Sequence, residues 1–279
     1  MNEKTKFFAD YIQNHTGIVY SETNSYQLEN RLQNLATRLE CKSIDELWVK
    51  CISGMSLEIK QLLVDLATNN ETSFFRDPAI FTSVECHMLP ETIKRNTAGK
   101  KIRIWSAASS TGQEAYSLSI LCNEFKGWPS APHFEILGTD ISEYALKRAE
   151  AGKFTQLEIQ RGLPTQKMLK YFDKCDGNDS FGENIPYWAV NGAIKKPTSF
   201  KKMNLLDNWF SLGHFDIVFI RNVLIYQDVE NKKKVLDKVF QVLEPGGFLV
   251  LGAAESLIGL SNAFEQIRVG ATIFYQKKS

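Results

Sequence analysis

The chain has 279 residues, a length that suits either two domains of typical size or one domain with insertions. Its 33 basic and 32 acidic residues give a net charge of +1, and 43% of the residues are apolar. This composition excludes an intrinsically disordered chain and gives no reason to expect a nucleic-acid or lipid partner. Because the sequence contains neither a long apolar run nor the apolar core of a signal peptide, we expect a cytoplasmic protein without membrane insertion.

Residues 1–70 are predicted to form a small domain of helices without strands. Leu28, Leu32, Leu35 and Leu39 recur at steps of 4, 3 and 4 residues, which places them on one face of a helix. Such a stripe is typical of a helix that packs against others in a small bundle.

Residues 71–98 are predicted to link this domain to the rest of the chain. Around their start, segment 69–78 combines polar side chains, two phenylalanines and Arg76, which is unusual for a plain linker and suggests contact with a ligand. The alternative is a helix capped by Thr72 or Ser73, followed by two core phenylalanines and a solvated arginine.

From residue 99 to residue 279 the sequence predicts an α/β domain. Short β-rich runs alternate with amphipathic stretches, a pattern typical of a mostly parallel, doubly wound sheet with helices on both faces. Pro245-Gly246-Gly247 is expected to end the last of these helices before its strand begins. The predicted strands cover residues 102–107, 134–139, 215–220 and 248–252, and the predicted helices cover 113–125, 142–151 and 228–243.

An insertion at about residues 153–203 interrupts this alternation, because the connection there is far longer than the few residues that usually join a helix to a strand. Within it, Asn191-Gly192 lies between two short runs and predicts a type I′ hairpin turn, since both residues adopt positive φ readily. We therefore expect a small antiparallel β subdomain.

The carboxyl ends of the strands are the positions where an open α/β sheet binds its ligand. The first end, Ser106 to Glu114, is rich in small residues but lacks the Gly-x-Gly-x-x-Gly spacing that receives a pyrophosphate. Asp140 ends the second strand, where it can accept hydrogen bonds from both hydroxyls of a ribose. These features predict a nucleoside cofactor without phosphates, most commonly S-adenosylmethionine, and argue against a nicotinamide-dependent oxidoreductase. The alternative for Asp140 is a helix N-cap.

The third strand end contains Arg221 directly after a run of apolar residues. A buried arginine needs a partner or a ligand. The alternative is an internal salt bridge, together with a core position for Tyr226. No metal site is expected, because the five cysteines and four histidines are scattered without ligand spacing.

Six ordered motifs are spread over nearly the whole chain. They are Asn70-x-Thr72-x-Phe74-Phe75-Arg76, Trp105-Ser106-Ala107-Ala108-(x)2-Thr111-Gly112-x-Glu114-x-Tyr116-Ser117, Thr139-Asp140-Ile141, Arg161-Gly162-Leu163-Pro164, Asn204-Leu205-Leu206 and Phe215-Asp216-(x)4-Arg221-Asn222-Val223-x-Ile225-Tyr226. In this order they resemble the motifs of the chemotaxis receptor methyltransferases of the CheR type. One departure is Gln113, which stands where family members often have a glutamate and puts a role for that position in doubt.

The resemblance implies a Rossmann-like enzyme that transfers a methyl group from S-adenosylmethionine to glutamate side chains on the cytoplasmic helical domain of chemoreceptors. S-adenosylhomocysteine is then the second product, and the glutamyl methyl esters serve chemotactic adaptation. The resemblance also assigns Arg76 and Tyr226 to the reaction site and allows a receptor C-terminal peptide to bind at the β subdomain. The cofactor contacts that it implies are Asn70, Thr72, Arg76, Glu114, Asp140, Asn204, Leu205, Arg221 and Asn222.

Such a reaction needs no general base, because a glutamate side chain is already ionised at neutral pH. Arg31 and Arg38 share one helix face beside the leucine stripe, so we expect them to dock an acidic receptor helix. The alternative is that both are merely solvated, since residues 1–70 carry 7 basic and 9 acidic side chains, a net charge of −2. We expect a monomer. The rival functions are a catalytically silent methyltransferase fold that serves as a signalling module, and a small-molecule methyltransferase.

Overall fold

The computed structural model describes residues 1–96, 99–129, 133–178 and 184–278. Over these ranges the chain forms an N-terminal helical domain, a seven-stranded sheet and a three-stranded sheet. None of the helices in the described ranges combines the length and the apolar composition needed to span a membrane.

Four helices build the N-terminal domain, and local capping explains where three of them start. Side-chain oxygens of Asn2, Ser43 and Ser56 accept hydrogen bonds from backbone N–H groups in the first turns. The predicted leucine stripe lies in the core of this domain, with Leu39 only partly buried. The helices are α1 Glu3–Thr16, α2 Ser25–Arg38, α3 Ile44–Ile52 and α4 Leu57–Ala67.

The stretch that we predicted as a linker contains helices that pack on the main sheet. Neither Thr72 nor Ser73 caps them, because the first helix begins only at Pro78, whose missing N–H is tolerated at that position. Buried Phe81 and Met88 belong to an apolar cluster that includes strand residues, so this stretch forms a layer of the α/β domain. Its elements are α5 Pro78–Ser83, a π-helical turn Val84–Met88 and α6 Leu89–Arg95.

Within the described residues, ten strands build the two sheets. In chain order they are β1 Ile102–Ala107, β2 Phe134–Asp140, β3 Lys153–Thr155, β4 Phe172–Asn178, β5 Asn184–Val190, β6 Thr198–Lys202, β7 Phe215–Ile220, β8 Leu243–Leu251, β9 Phe264–Val269 and β10 Thr272–Lys277. The main sheet has the order β6-β2-β1-β7-β8-β10-β9. The first five strands in this order pair in parallel, whereas β10 pairs antiparallel with β8 and β9 pairs antiparallel with β10. The predicted, mostly parallel sheet is confirmed.

Helices cover both faces of this sheet, as predicted, because side chains of each strand alternate between the faces. On one face α12 packs through Val235 and Val239 beside Trp105. On the other face α7 packs through Leu118 beside Ile104. The remaining helices are α7 Gln113–Glu124, α8 Glu143–Ala151, α9 Gln156–Gln160, α10 Thr165–Tyr171, α11 Gly192–Lys195 and α12 Val229–Val242.

The last parallel strand begins earlier than predicted. Helix α12 ends at Val242 and β8 starts at once at Leu243, so Pro245-Gly246-Gly247 lies inside the strand. The pairing register with β7 shifts there, between Phe215 and Ile217. Pro-Gly-Gly therefore forms an irregularity at the entry of a central strand, a position where proline and glycine are tolerated within sheets.

The insertion contains an antiparallel sheet in the order β3-β5-β4, which confirms the predicted subdomain. The predicted turn at Asn191-Gly192 is wrong, because Asn191 instead caps α11. Its φ is −81°, and its side-chain oxygen accepts a hydrogen bond from Ala193 N at 3.1 Å. Asparagine suits a type I′ turn and a helix N-cap equally, since its short side chain can bond the backbone two residues on. The connection between β4 and β5 falls on residues 179–183, outside the described ranges.

Candidate functional site

The carboxyl ends of β1, β2 and β7 meet at a cleft between the main sheet and the N-terminal domain. Strand β1 lies between β2 and β7, so the chain leaves β1 in one direction and later returns to its other side. Ligands bind to α/β sheets at such a reversal of strand order. The cleft has a volume of about 960 Å³, including its open mouth.

The structure brings every predicted cofactor contact to this cleft, and Tyr226 lies among them. Sequence analysis missed Ile18 and Gln227, which also line the cleft and form an isolated antiparallel bridge with each other. It noted the small residues that include Ser109 and Ser110 but gave neither serine a role. The predicted contacts that line the cleft are Asn70, Thr72, Arg76, Glu114, Asp140, Asn204, Leu205, Arg221 and Asn222.

Asp140 ends β2 and is 6% exposed. One carboxylate oxygen accepts a hydrogen bond from Ser110 N at 2.8 Å, and the other accepts one from Ser142 N at 2.9 Å. Burial raises the pKa of this carboxyl, and the backbone donors oppose the rise. The N-cap alternative is wrong, because Ser142 caps α8 by accepting from Ala145 N. Each carboxylate oxygen keeps a further lone pair that can accept from a ligand hydroxyl.

Arg221 is the centre of a buried ion-pair network, and its side chain is 2% exposed. Its Nη1 donates to Glu114 at 2.8 Å, while its Nη2 pairs with Asp77 and donates to the carbonyl oxygen of Arg76 at 3.0 Å. The internal salt bridge that we considered as the alternative is therefore present. Tyr226, in contrast, is only half-buried and does not occupy a core position.

The segment before α5 is held against the loop after β1 and against α7 by two serine hydroxyls. Ser110 Oγ donates to the carbonyl oxygen of Asn70 at 2.8 Å, and Phe75 N–H donates to Ser117 Oγ at 2.9 Å. Phe74 is fully buried and contacts two phenylalanines of the insertion edge-on. The loop after β1, α7 and the β subdomain thus fix this segment together.

The Arg-Gly-Leu-Pro motif of the insertion contacts the same segment. Arg161 forms a salt bridge with Glu71. Gly162 has φ of +95°, and a Cβ atom at this position would lie 2.0 Å from the carbonyl oxygen of Phe74. Only glycine allows this approach, which explains why the motif has glycine here.

Arg76 and Tyr226 both line the cleft, and Tyr226 contacts the N-terminal domain. Arg76 is half-buried and donates from Nη1 to the carbonyl oxygen of Glu71 at 3.3 Å. The Tyr226 hydroxyl accepts from Asn69 Nδ2 at 3.1 Å, and the Tyr226 carbonyl oxygen accepts from Val19 N–H at 2.9 Å. Tyr226 thus joins the loop after β7 to the N-terminal domain and to the segment that carries Arg76.

Backbone strain is concentrated around the cleft. Of the described non-glycine residues, six have positive φ, and five of these lie in the cleft or next to it. A left-handed backbone costs a non-glycine residue on the order of 1 kcal/mol, and such strain is often found at functional sites. The five residues are Phe75, Asp77, Ala108, Ser110 and Asn222.

The polar groups of the cleft fit a nucleoside without phosphates. Three residues of its lining contain a buried polar atom without a hydrogen-bond partner among the described residues, namely Ser109 Oγ, Arg221 Nε and Gln227 Oε1. Glu114 and Asp77 offset the charge of Arg221, so no cluster of unpaired cations is available for a phosphate. The described residues also contain no group of three side chains that could hold a metal ion.

Arg31 and Arg38 line a separate groove between α2, α4 and α8. Arg31 donates from Nη1 to the carbonyl oxygens of Leu66 and Ala67 at 2.9 and 3.0 Å and to the Tyr20 hydroxyl at 3.1 Å. This arginine therefore satisfies the end of α4. Arg38 is exposed.

Known proteins match the chain over almost its whole length. Residues 3–67 match the family model of the CheR methyltransferase all-alpha domain, and residues 70–273 match that of the CheR methyltransferase SAM binding domain. The chain is 38% identical to chemotaxis protein methyltransferase 1 of Pseudomonas aeruginosa, covering 99% of this chain and 98% of that protein. It is 36% identical to the chemotaxis protein methyltransferase of Vibrio parahaemolyticus, with 99% and 98% covered. Magnesium protoporphyrin IX methyltransferase from Synechocystis PCC 6803 is a remote structural likeness that supports no inference, at 15% identity and a TM-score of 0.40, with 100% of this chain and 99% of that chain covered.

Proposed function

The chain belongs to the CheR methyltransferase family and is an S-adenosylmethionine-dependent methyltransferase, and we propose that it esterifies glutamate side chains on the cytoplasmic helical domain of chemoreceptors. A glutamate carboxylate oxygen takes the methyl group, and S-adenosylhomocysteine is released. Formation of each glutamyl methyl ester removes one negative charge from the receptor. This loss of charge is the chemical change that would serve chemotactic adaptation.

One observation favours a carboxylate as the substrate: the acidic groups of the cleft are already engaged within the protein. Asp140 accepts backbone hydrogen bonds, Glu114 pairs with Arg221, and Glu71 pairs with Arg161. No histidine, lysine or cysteine is among the described residues that line the cleft. An amine or a hydroxyl would need a base to take its proton, whereas a glutamate carboxyl, with a pKa of about 4.3, needs none at neutral pH.

We assign cofactor binding to the nine residues that share the cleft, with Asp140 accepting from the ribose hydroxyls. When bound, the cofactor supplies a methyl group on a positively charged sulfur. Ser110 fixes one end of the segment that carries Asn70 and Thr72, and Arg221 fixes its other end at Arg76. These internal bonds preorganise the contacts before the ligand arrives.

Arg76 is assigned to orient the glutamate carboxylate, and Tyr226 is assigned to close the cleft over it. The positive donor and the negative acceptor lose charge together in the transition state, so a cation that held the carboxylate too strongly would slow the transfer. Arg76 is half-buried and already donates to a backbone carbonyl, and this limits how strongly it can bind the substrate carboxylate. Positioning of this kind can contribute several kcal/mol to catalysis.

Two surfaces are proposed for receptor docking, which takes place in the cytoplasm. The groove between α2, α4 and α8 is proposed to bind an acidic receptor helix through Arg38 and Lys147, since Arg31 is engaged at the end of α4 and Lys202 pairs with Glu143. Strand β4 is an edge of the small sheet and can pair with a receptor C-terminal peptide as an added strand.

The proposed function is tested by incubating the protein with methyl-labelled S-adenosylmethionine and receptor-containing membranes, and then treating the receptor bands with alkali. A carboxyl methyl ester releases its label as volatile methanol, and we expect this result. Membranes with receptors whose methyl-accepting glutamates are replaced by alanine provide the matched control. Label that resists alkali would refute the carboxylate substrate, and calorimetric cofactor binding without any transfer would favour the silent signalling module.

A further inference from the structure

Glu255 lies outside every motif that the sequence analysis singled out, and it does not line the cleft. We propose that Glu255 is a positioning residue, whose carboxylate holds the loop after β7 in the conformation that cofactor binding and methyl transfer require. For the transfer step this proposal rests on the proposed function. For cofactor binding it rests on the methyltransferase activity alone.

The carboxylate of Glu255 accepts four backbone hydrogen bonds. Oε2 accepts from Asn222 N at 2.8 Å and from Gly252 N at 2.7 Å. Oε1 accepts from Val223 N at 3.0 Å and from Leu224 N at 2.8 Å. Three successive N–H groups of the loop therefore converge on one side chain, and bonds of this kind to a charged group are stronger than those between neutral groups.

The loop takes a strained shape that such an anion stabilises. Asn222 has φ of +58°, and the next residue returns to negative φ. The N–H groups of Asn222, Val223 and Leu224 all turn towards one carboxylate in this conformation and form a concave anion site. Without the carboxylate these donors would lose their partner while Leu224 is buried at 3% exposure. The carboxylate of Glu255 thus stabilises this conformation of the loop.

Gly252 provides the space that the arrangement needs. A Cβ atom at this position would lie 2.8 Å from Glu255 Oε2 and 2.9 Å from Asn222 N. The carboxylate and the loop thus occupy the volume that any larger residue would fill. Glu255 N–H donates to the carbonyl oxygen of Gly252 at 2.9 Å, so the turn from Gly252 to Glu255 also places the carboxylate.

The held loop carries three residues of the site. Arg221 precedes the anion site, Asn222 is part of it, and Tyr226 follows within one short helical turn, Leu224–Tyr226. A shift of the loop would move these side chains together relative to the cofactor. Loss of Glu255 should therefore reduce cofactor affinity and kcat while leaving the docking of the receptor unchanged.

The test uses Glu255→Gln in the full-length chain. Glutamine keeps the size of glutamate, but its NH2 group would face two N–H donors, so half of the anion site is lost. We expect the Kd for S-adenosylhomocysteine, measured by calorimetry, to rise about tenfold or more, and kcat to fall by a similar factor at unchanged receptor KM. Glu265→Gln, an exposed glutamate of β9, is the matched control and should behave like the unaltered chain.

A double variant separates positioning from general destabilisation. If Glu255 acts through the loop, Glu255→Gln combined with Tyr226→Phe should lower kcat by less than the product of the single effects. Multiplied effects, or an unchanged Kd in Glu255→Gln, would overturn the proposal. Should Glu255→Gln fail to fold, Glu255→Asp keeps the charge but shortens the side chain, so that its carboxylate cannot reach all four N–H groups, and it must show a rise in Kd as well. The calorimetric result does not depend on the identity of the methyl acceptor, so the proposed function can fail separately.

Discussion

Burial and hydrogen bonding act in opposite directions on the carboxyl of Asp140. Burial, the larger influence, raises its pKa, and backbone donors including Ser110 and Ser142 lower it. Because the folded-state pKa lies above the unfolded-state value, this carboxyl favours the folded state most below the unfolded-state pKa. That contribution is lost as pH rises through the folded-state pKa. The cofactor contact that we propose for Asp140 needs the opposite form, since ribose hydroxyls would donate to an ionised carboxylate.

We therefore predict that cofactor affinity falls on acidification at a higher pH than an ordinary aspartate would cause. Below the raised pKa of Asp140, the Kd for S-adenosylhomocysteine should rise by up to about tenfold per pH unit, because a proton must leave before the ligand binds. Calorimetry between about pH 4 and pH 8 measures this slope. Asp140→Asn cannot titrate, so this variant should bind S-adenosylhomocysteine weakly and with a Kd that does not depend on pH in this way. The same slope in both proteins would contradict the ribose assignment.

Arg76 and Tyr226 allow a second prediction at this scale. Arg76→Ala and Tyr226→Phe should lower kcat by about 10- to 100-fold, because misplaced reactants lose rate steeply. The free energy of unfolding should change by about 1 kcal/mol or less, since both side chains are half-buried. Arg268→Ala, which removes an exposed arginine of β9, is the control for charge. A loss of rate that only follows the loss of folded protein would assign both residues a structural role.

At the scale of the elements, the contact between the insertion and the segment before α5 depends on Gly162. We predict that Gly162→Ala lowers the free energy of unfolding by about 3 kcal/mol or more. The left-handed backbone accounts for about 1–2 kcal/mol of this loss, and the displaced carbonyl group of Phe74 accounts for the rest. Urea denaturation measures the loss, and calorimetry should show weaker binding of S-adenosylhomocysteine because the segment carries Asn70 and Arg76.

Gly259→Ala is the matched control for this prediction. Gly259 has φ of +73°, which is positive like the φ of +95° at Gly162. No atom, however, would lie within 4 Å of a Cβ atom at Gly259. This variant should therefore show only the backbone part of the loss and normal cofactor binding. Equal losses in the two variants would show that the contact with Phe74 is unimportant.

The sequence predicts an element well where local pattern and tertiary pairing agree. Strands β1 and β7 begin and end at the predicted residues, because each is a short, mostly apolar run that follows a polar residue. The role of Asn191 and the early start of β8 were not predicted. In both places local chemistry permits two structures, and distant pairing selects one of them, as when Leu243 pairs with Phe215.

The same reasoning explains which parts of the site were predicted. Asp140 and Arg221 follow buried strands, and the carboxyl ends of parallel strands must meet at one edge of the sheet. Ile18 and Glu255 were missed because each contacts the loop after β7 from a part of the chain that carries no local signal of a site. Position in the fold, rather than residue type, gives these two their roles.

At the scale of the whole molecule, the N-terminal domain supplies a wall of the cleft to which we assign the cofactor, and both domains are needed to complete this cleft. Ile18 pairs with Gln227 across the domain boundary, and Val19 N–H donates to the carbonyl oxygen of Tyr226 at 2.9 Å. A ligand that contacts both walls binds better to the closed arrangement than to one in which the domains have separated. Binding must therefore shift the protein towards closure.

We predict that S-adenosylhomocysteine slows hydrogen exchange of the Val19 amide, because this N–H is released when the domains separate. With the ligand at about 100 times its Kd, the closed state gains about 2.7 kcal/mol, so exchange through an opening that abolishes binding should slow by about 100-fold. The amide of Glu46, at the exposed start of α3, exchanges by local fraying and should not respond. The same ligand concentration with Asp140→Ala, which should not bind, controls for solution effects. If the Val19 amide exchanges at the same rate with and without bound ligand, the N-terminal domain does not close over the cofactor, and its place in the cleft wall has no part in binding.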